Sequence, residues 1–299
     1  MRKYLIIGVV AAGLGLSACG SSAPATLDSA VSSVSSQPAL EVHITASFSG
    51  PGMAKIQQYA NDISLDVVEV NPSGGNLTQT SALDEDVTVN VGSGTLLEIR
   101  DISGNAYLKI DLSPLSSLPG VNLPASDIAG FNLLFGGRWF EVPASLIKSL
   151  AAKEQTSTAP SKKETREINT LRQAIIHIIE TAHSTSVAGG GYTETATLAS
   201  FVHALWPTIQ SLGISQVAEP TDVKGSYTLT MTTSGSTLTG ASASITAPDS
   251  SGSSNDTVAI KATISHNSAS VATPAGATVV TQQLIQELEN EAKASPLAA

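Results

Sequence analysis

Few side chains in this 299-residue chain stand at spacings that chemistry requires. Cys19 is the only thiol, so an internal disulfide framework and a Cys-based zinc cluster are both excluded. The five histidines are scattered. His177 and Glu180 sit one helical turn apart, but His183 lies six positions from His177 and faces elsewhere, and no H-E-x-x-H run supplies a third ligand. Asp84, Glu85 and Asp86 form an acidic knot that lacks the alternating ligands and central glycine of a calcium loop, so it reads as a solvated loop. No G-x-S-x-G elbow and no phosphate-cradling G-x-x-x-x-G-K-[ST] run is present, and Gly189–Gly191 has no following lysine. No nucleophile and base stand in a recognisable arrangement, so an enzyme is not expected, nor is a cofactor or a metal.

The chemistry that remains belongs to Cys19. Arg2 and Lys3 form a short basic start, and residues 5–16 are twelve uncharged, mostly apolar residues. That run is too short for a bilayer of ~30 Å, which needs ~20 helical residues, and has the length of a signal-peptide core. Leu16-Ser17-Ala18-Cys19 follows and resembles the lipobox of bacterial lipoproteins. In that family the cysteine sulfur receives a diacylglyceryl group and cleavage leaves the modified cysteine as the new N-terminus. Residues 1–18 are therefore expected to be a lipoprotein signal peptide. Residues 19–38, Ser/Ala/Pro-rich with Asp28 as their one charge, read as a flexible tether. The resemblance implies a membrane as the partner at this end, held through the diacylglyceryl-cysteine, with the protein extracytoplasmic and lipid-anchored.

Composition agrees with a sheet protein at a surface. Charged residues make up 13% and aromatics 4%, against 41% hydrophobic residues. Loss of Arg2 and Lys3 takes the basic count from 15 to 13 and the net charge from −10 to −12. Such a chain lacks the concentrated basic surface that nucleic acid requires.

The elements that must position any site follow from periodicity. Leu40, Val42, Ile44, Ala46 and Phe48 alternate with polar residues, as do Val87, Val89 and Val91, and then Leu108, Ile110 and Leu112 beyond a turn at Ser103-Gly104-Asn105. Tyr107, Lys109 and Asp111 take the outward places. Short turns between such strands predict an antiparallel meander rather than βαβ crossovers. Residues 53–63 read as a short helix with Ile56, Tyr59 and Ala60 on one face. Residues 115–140 are apolar and loop-like, ending in a short strand at 139–142 closed by Pro143. Residues 162–184 read as a helix with Ile168, Leu171, Ile175, Ile178, Ile179 and Ala182 on a broad apolar face. A strand at 192–197 runs into a helix at 198–212 that buries Phe201, Val202, Leu205, Ile209 and Leu212, with a kink at Pro207. Strands at 227–231, 241–245 and 258–264 complete the pattern before a C-terminal helix at 282–293. Residues 39–299 thus read as one α+β domain, whose halves both run strand, helix, meander, as in an internal structural repeat.

Two features stand out. Lys148, Lys153, Lys162, Lys163, Arg166 and Arg172 are six of the 13 mature basic residues, only partly offset by Glu154, Glu164 and Glu167. Lys162, Lys163 and Arg166 could face anionic lipid headgroups, at ~1 kcal/mol for each basic residue near the surface; the competing reading is an exposed, salt-bridged helix start. Phe131, Phe135 and Trp139, on a glycine-flanked stretch, could mark a hydrophobic binding site or plug the sheet as core.

The lipobox, the run Gly104-Asn105-Ala106-Tyr107-Leu108-Lys109-Ile110-Asp111-Leu112, the segment Gly137-Arg138-Trp139-Phe140-Glu141-Val142-Pro143 and the late Val271-Ala272-Thr273-Pro274-Ala275-Gly276-Ala277 together resemble actinobacterial envelope lipoproteins of the LppX/LprG group, whose architecture is similar to that of the carrier LolA. The resemblance implies a curved antiparallel β-sheet, a half-barrel, with helices packed on its concave face around an apolar cavity. It implies binding or carriage of a lipid or lipoglycan. Phe131, Phe135, Trp139, Ile175, Ile179, Phe201 and Leu205 would then line that cavity. The alternative is an anchored structural or sensory protein with a filled core and no ligand.

Overall fold

Half-buried strands must share one apolar face, and here they do so in a single sheet. The computed structural model describes residues 33–34, 36–79, 82–121, 123–154, 170, 185–186, 191–213, 218–249, 251–266 and 269–286. Its strands are β1 (Ala39–Ser49), β2 (Ile63–Val70), β3 (Asp84–Val91), β4 (Gly94–Ile102), β5 (Asn105–Ile110), β6 (Trp139–Val142), β7 (Thr185–Ser186), β8 (Gly191–Thr197), β9 (Ser226–Ser234), β10 (Thr237–Pro248), β11 (Asn255–Ser265) and β12 (Thr278–Val279). The helices are α1 (Ala54–Ala60), α2 (Ala125–Leu134), α3 (Ala144–Glu154) and α4 (Leu198–Ser211). The expected signal peptide at 1–18, Cys19, most of the expected tether at 19–38, and Lys162, Lys163, Arg166, Ile175 and Ile179 lie outside the described residues. Of the helix expected at 162–184 only Thr170 is described, and it is helical.

The twelve strands lie in the order β12-β6-β5-β4-β3-β2-β1-β11-β10-β9-β8-β7, antiparallel throughout except for β12 beside β6. The fold is α+β, dominated by this curved, unclosed sheet with few helices. The two halves of the chain grow outward from a central pair, β1 against β11. The β4–β5 hairpin has the expected turn. Ser103 and Gly104 both take positive φ, 52° and 83°, the geometry whose twist matches that of the strands.

Register assigns every side chain to a face, because directly opposed residues point the same way. One face is apolar: Ala241, Ile260, Ala262 and Ile264 continue through Leu40, Val42 and Ile44 to Leu65 and Val67, then to Val87, Val89, Leu97, Ile99, Leu108 and Phe140. The other is polar, with His43, Asp66, Thr88, Glu98, Lys109 and Trp139 on one side and a threonine array on the other, where Thr193 meets Thr230 and Thr195 meets Thr228. The core occupies one end of the apolar face. There Leu40, Val42, Val67, Leu77, Leu238, Ala241, Ala262 and Ile264 are buried beneath Val34 and Leu83.

Four readings change. The acidic residues Asp84, Glu85 and Asp86 are not a solvated loop but the first three residues of β3, hydrogen-bonded on both sides. Residues 125–134 are helical rather than loop-like, because α2 is closed off by Gly136 and by Gly137 at φ 66°. Ile56 faces solvent on α1, since that short helix sits beside β1 and turns Tyr59 and Ala60 inward. Tyr107 points to the polar face as its parity requires, yet is only 4% exposed. Residues 269–277 cross that face as a strap from the side of β11 to β12, held where Arg100 Nη1 donates to the Ala272 carbonyl at 2.7 Å. β2 and α3 add elements that the periodicity had not marked.

Candidate functional site

The apolar face is the only large feature that function could use among the described residues. At its core end it is filled. Elsewhere it carries large side chains that the fold leaves uncovered: Ile99 on β4 is 38% exposed, and Ile245 and Ile260 on β10 and β11 are each 49% exposed. A contiguous sheet face of this kind is not a scatter of single surface residues, and it marks a place where something apolar rests.

Aromatic contacts flank this area on both sides. On one side, Phe131 of α2 stacks at 5.1 Å from Phe135, which in turn lies 5.8 Å from Phe140 of β6. Phe140 opposes Leu108, an apolar-face residue, so this trio belongs to the apolar face. Asn132 pins α2 in place: its Oδ1 accepts from Leu112 N, and its Nδ2 donates to Asp111 and Ser113. On the other side, Phe201 of α4 meets Tyr227 of β9 edge-on at 5.5 Å. Thr197 caps α4 by accepting from Ser200 N, and Leu205 lies on the same half-buried side of the helix as Phe201.

Trp139 is not part of this lining. It opposes Lys109, and its ring lies under Arg100 at 4.8 Å and Lys109 at 5.6 Å, on the polar face. A strand alternates strictly, so Trp139 and Phe140 cannot share a face, and the pairing with β5 gives the apolar place to Phe140. Of the residues expected to line a cavity, the structure therefore groups Phe131 with Phe135, and Phe201 with Leu205. It sends Trp139 to the opposite side.

The apolar face also holds carboxylates, which the sequence did not signal. Glu69 opposes Glu85, and Glu85 opposes Asp101, so three acids stand side by side in one row across β2, β3 and β4. The same row continues through Leu40 on one side and Ala106 and Val142 on the other, with no basic residue in it. Glu69 is 2% exposed and its Oε2 has no hydrogen-bond partner. Burial, and then the neighbouring Glu85, push its pKa up to about 7. Glu194 on β8 is a second buried acid of this face. It accepts from the Tyr227 hydroxyl at 2.6 Å, and burial raises its pKa while that hydrogen bond opposes the rise. The Tyr227 hydroxyl is shifted upward by burial and by the Glu194 carboxylate.

The polar face has an ordered chain of its own. His43 Nδ1 bonds to Asp66 Oδ1, Asn90 Nδ2 donates to Asp66 Oδ2 at 2.6 Å, and Thr95 donates to Asn90 at 2.9 Å. Such a chain fixes the ring of His43. Beside it, Arg100 bridges Asp86 and Glu98, and Lys109 lies 3.7 Å from Glu98. No three His, Cys, Asp or Glu residues converge as metal ligands among the described residues, and none of their helices is long and apolar enough to cross a membrane. The chain matches no protein-family model, and no curated protein matches it significantly.

Proposed function

We propose that the protein is a lipid-anchored envelope protein that binds or carries a lipid or lipoglycan on the apolar face of its sheet. One observation carries the reading: an apolar sheet face of this extent keeps Ile99, Ile245 and Ile260 uncovered, between Phe135 of the α2 side and Phe201 of the α4 side. In this reading the helices pack on the concave face and the ligand lies between them and the sheet, with Phe131, Phe135, Phe201 and Leu205, and with Ile175 and Ile179 of the 162–184 segment, as its walls. Attachment through Cys19 holds the carrier at the membrane surface.

Energetics allow it. Burying ~400 Å² of acyl surface contributes on the order of 10 kcal/mol at ~25 cal/mol per Å². Lost ligand freedom costs several kcal/mol of that, which leaves micromolar binding. The filled-core alternative draws support from the tightly packed end, where Val42 and Leu238 are wholly buried. Native mass spectrometry of the non-acylated protein, followed by lipid extraction, separates the two. Copurifying lipid, or saturable binding of a fluorescent fatty acid, is expected; the absence of both leaves the structural protein.

A further inference from the structure

Polar groups set into an apolar binding face constrain what the bound molecule must offer them. Glu194 of β8 and Tyr227 of β9 are each 7% exposed, and the tyrosine hydroxyl donates to Glu194 Oε1 at 2.6 Å. Tyr227 is the only hydrogen-bond partner of this carboxylate among the described residues. A carboxylate has room for about four hydrogen bonds, so Glu194 Oε2 is left as an acceptor without a donor. Unlike Oε2 of Glu69, it is not fully enclosed.

Register sets the pair against the uncovered part of the face. Tyr227 lies directly opposite Ile245, and Glu194 heads a row that continues through Leu229 and Ala243 to Ile260. Ile245 and Ile260 are each 49% exposed. From Glu194 to Ile260 is three strand spacings, ~14 Å at ~4.8 Å each. Phe201 of α4 meets the Tyr227 ring edge-on from the helix side.

Charge points the same way. Arg100, Lys109 and Lys261 are the basic residues of the described strands, and register puts all three on the polar face. Within the sheet, an anionic group on the apolar face therefore meets carboxylates and no base.

We infer that Glu194 and Tyr227 form the headgroup subsite of the lipid carrier, and that it takes an uncharged, hydroxyl-bearing headgroup whose O–H donates to Glu194 Oε2. This rests on the carrier reading of the face and adds the ligand's chemical class to it. The acyl chain then runs over Ile245 and Ile260. A free fatty acid brings a second carboxylate to Glu194 and no donor, so it is the poorer ligand. A plain ester brings neither charge nor donor, and it covers Oε2 while leaving it unpaired. An ammonium headgroup supplies a donor, but must shed its hydration beside Ile245 and Phe201.

Four ligands of similar chain length test the assignment on the non-acylated, delipidated protein. Each displaces a fluorescent acylglycerol at pH 8, above the ordinary carboxylate range. Monopalmitoylglycerol should bind about tenfold or more tighter than palmitate and than methyl palmitate, the size expected when one buried acceptor is left unpaired. Hexadecylamine should also bind more weakly than the glyceride. Glu194→Gln removes the repelling charge and should bring palmitate to within about threefold of the glyceride. Glu69→Gln, on the same face but at its filled end, should leave the wild-type ratio in place. Equal binding of glyceride and methyl ester, an amine that binds tightest, or a ratio unmoved by Glu194→Gln would overturn the inference. The comparison among wild-type ligands decides alone where Glu194→Gln does not fold. If all four bind alike, only the headgroup subsite falls; if none binds, the carrier reading falls and takes the subsite with it.

Discussion

Replacing Glu69 by Gln probes the largest electrostatic anomaly in the fold. The carboxyl is 2% exposed with one orphaned oxygen, and burial followed by Glu85 raises its pKa from 4.5 to about 7. The protonated form is therefore favoured in the folded chain. Its contribution to stability is complete below pH 4.5 and is lost as pH climbs through about 7. A rise of that size corresponds to ~3 kcal/mol, at 1.36 kcal/mol per pH unit. For a domain of this length each kcal/mol moves Tm by ~2–4 °C. The wild type should thus lose about 6–12 °C more than Glu69→Gln between pH 4.5 and pH 8. Gln keeps the shape and cannot ionise, so it should be near neutral at pH 4.5 and stabilising at pH 8. Thermal melts followed by circular dichroism over that range provide the assay. The difference between the two proteins cancels the other carboxylates raised by burial, Asp86 and Glu194. Parallel Tm curves at every pH would refute the reasoning. Glu85→Gln removes the second cause, and should move the midpoint of the difference curve to lower pH.

Tyr227→Phe leaves the Glu194 carboxylate without its hydroxyl donor, and should cost about 1–3 kcal/mol in urea unfolding at pH 8 and less at pH 5, where the acid is closer to neutral. Phe140→Asp should empty the protein of lipid as read by native mass spectrometry, whereas Trp139→Ala, one residue away on the opposite face, should leave occupancy unchanged. Cys19→Ala should abolish incorporation of an alkyne fatty acid, and label retained on that variant would remove the anchor. Arg100→Ala frees the strap at Ala272, so limited proteolysis should cut residues 269–277 several-fold faster.

The strands of strict alternation were legible in the sequence: Leu40 to Phe48, Leu108 to Ile110 and Val258 to Ile264 all lie where period two puts them. β2 was not, because Val67-Val68-Glu69-Val70 places valines on both faces and an acid on the apolar one, which hides the alternation. α2 was hidden for a related reason. Ala, Ile, Phe and Leu surround it on every side, so no polar face marks a helical period, and Leu133 remains 74% exposed. Parity at Trp139 depends on which residue of β5 it meets, and that is a property of register rather than of residue type. The carboxylate row follows from two pairings, Glu69 with Glu85 and Glu85 with Asp101, and neither pairing is written in local pattern.

The central pairing of β1 with β11 has a consequence for how the chain comes into being. Glu41 finds its partner in Ser265, more than two hundred positions downstream. During synthesis, β1 to β6 emerge and pair among themselves while the other edge of β1 waits for almost the whole chain. Contacts of that sequence separation close slowly, which keeps that edge of β1 open until the last strands have emerged. The same wait has a hazard. A product that stops before Asn255 presents eleven residues of β1 as an unpaired edge flanked by apolar side chains, a template for strand addition by any neighbouring copy. Quality control of this protein therefore turns on its last strands, because an early stop leaves the long central edge exposed.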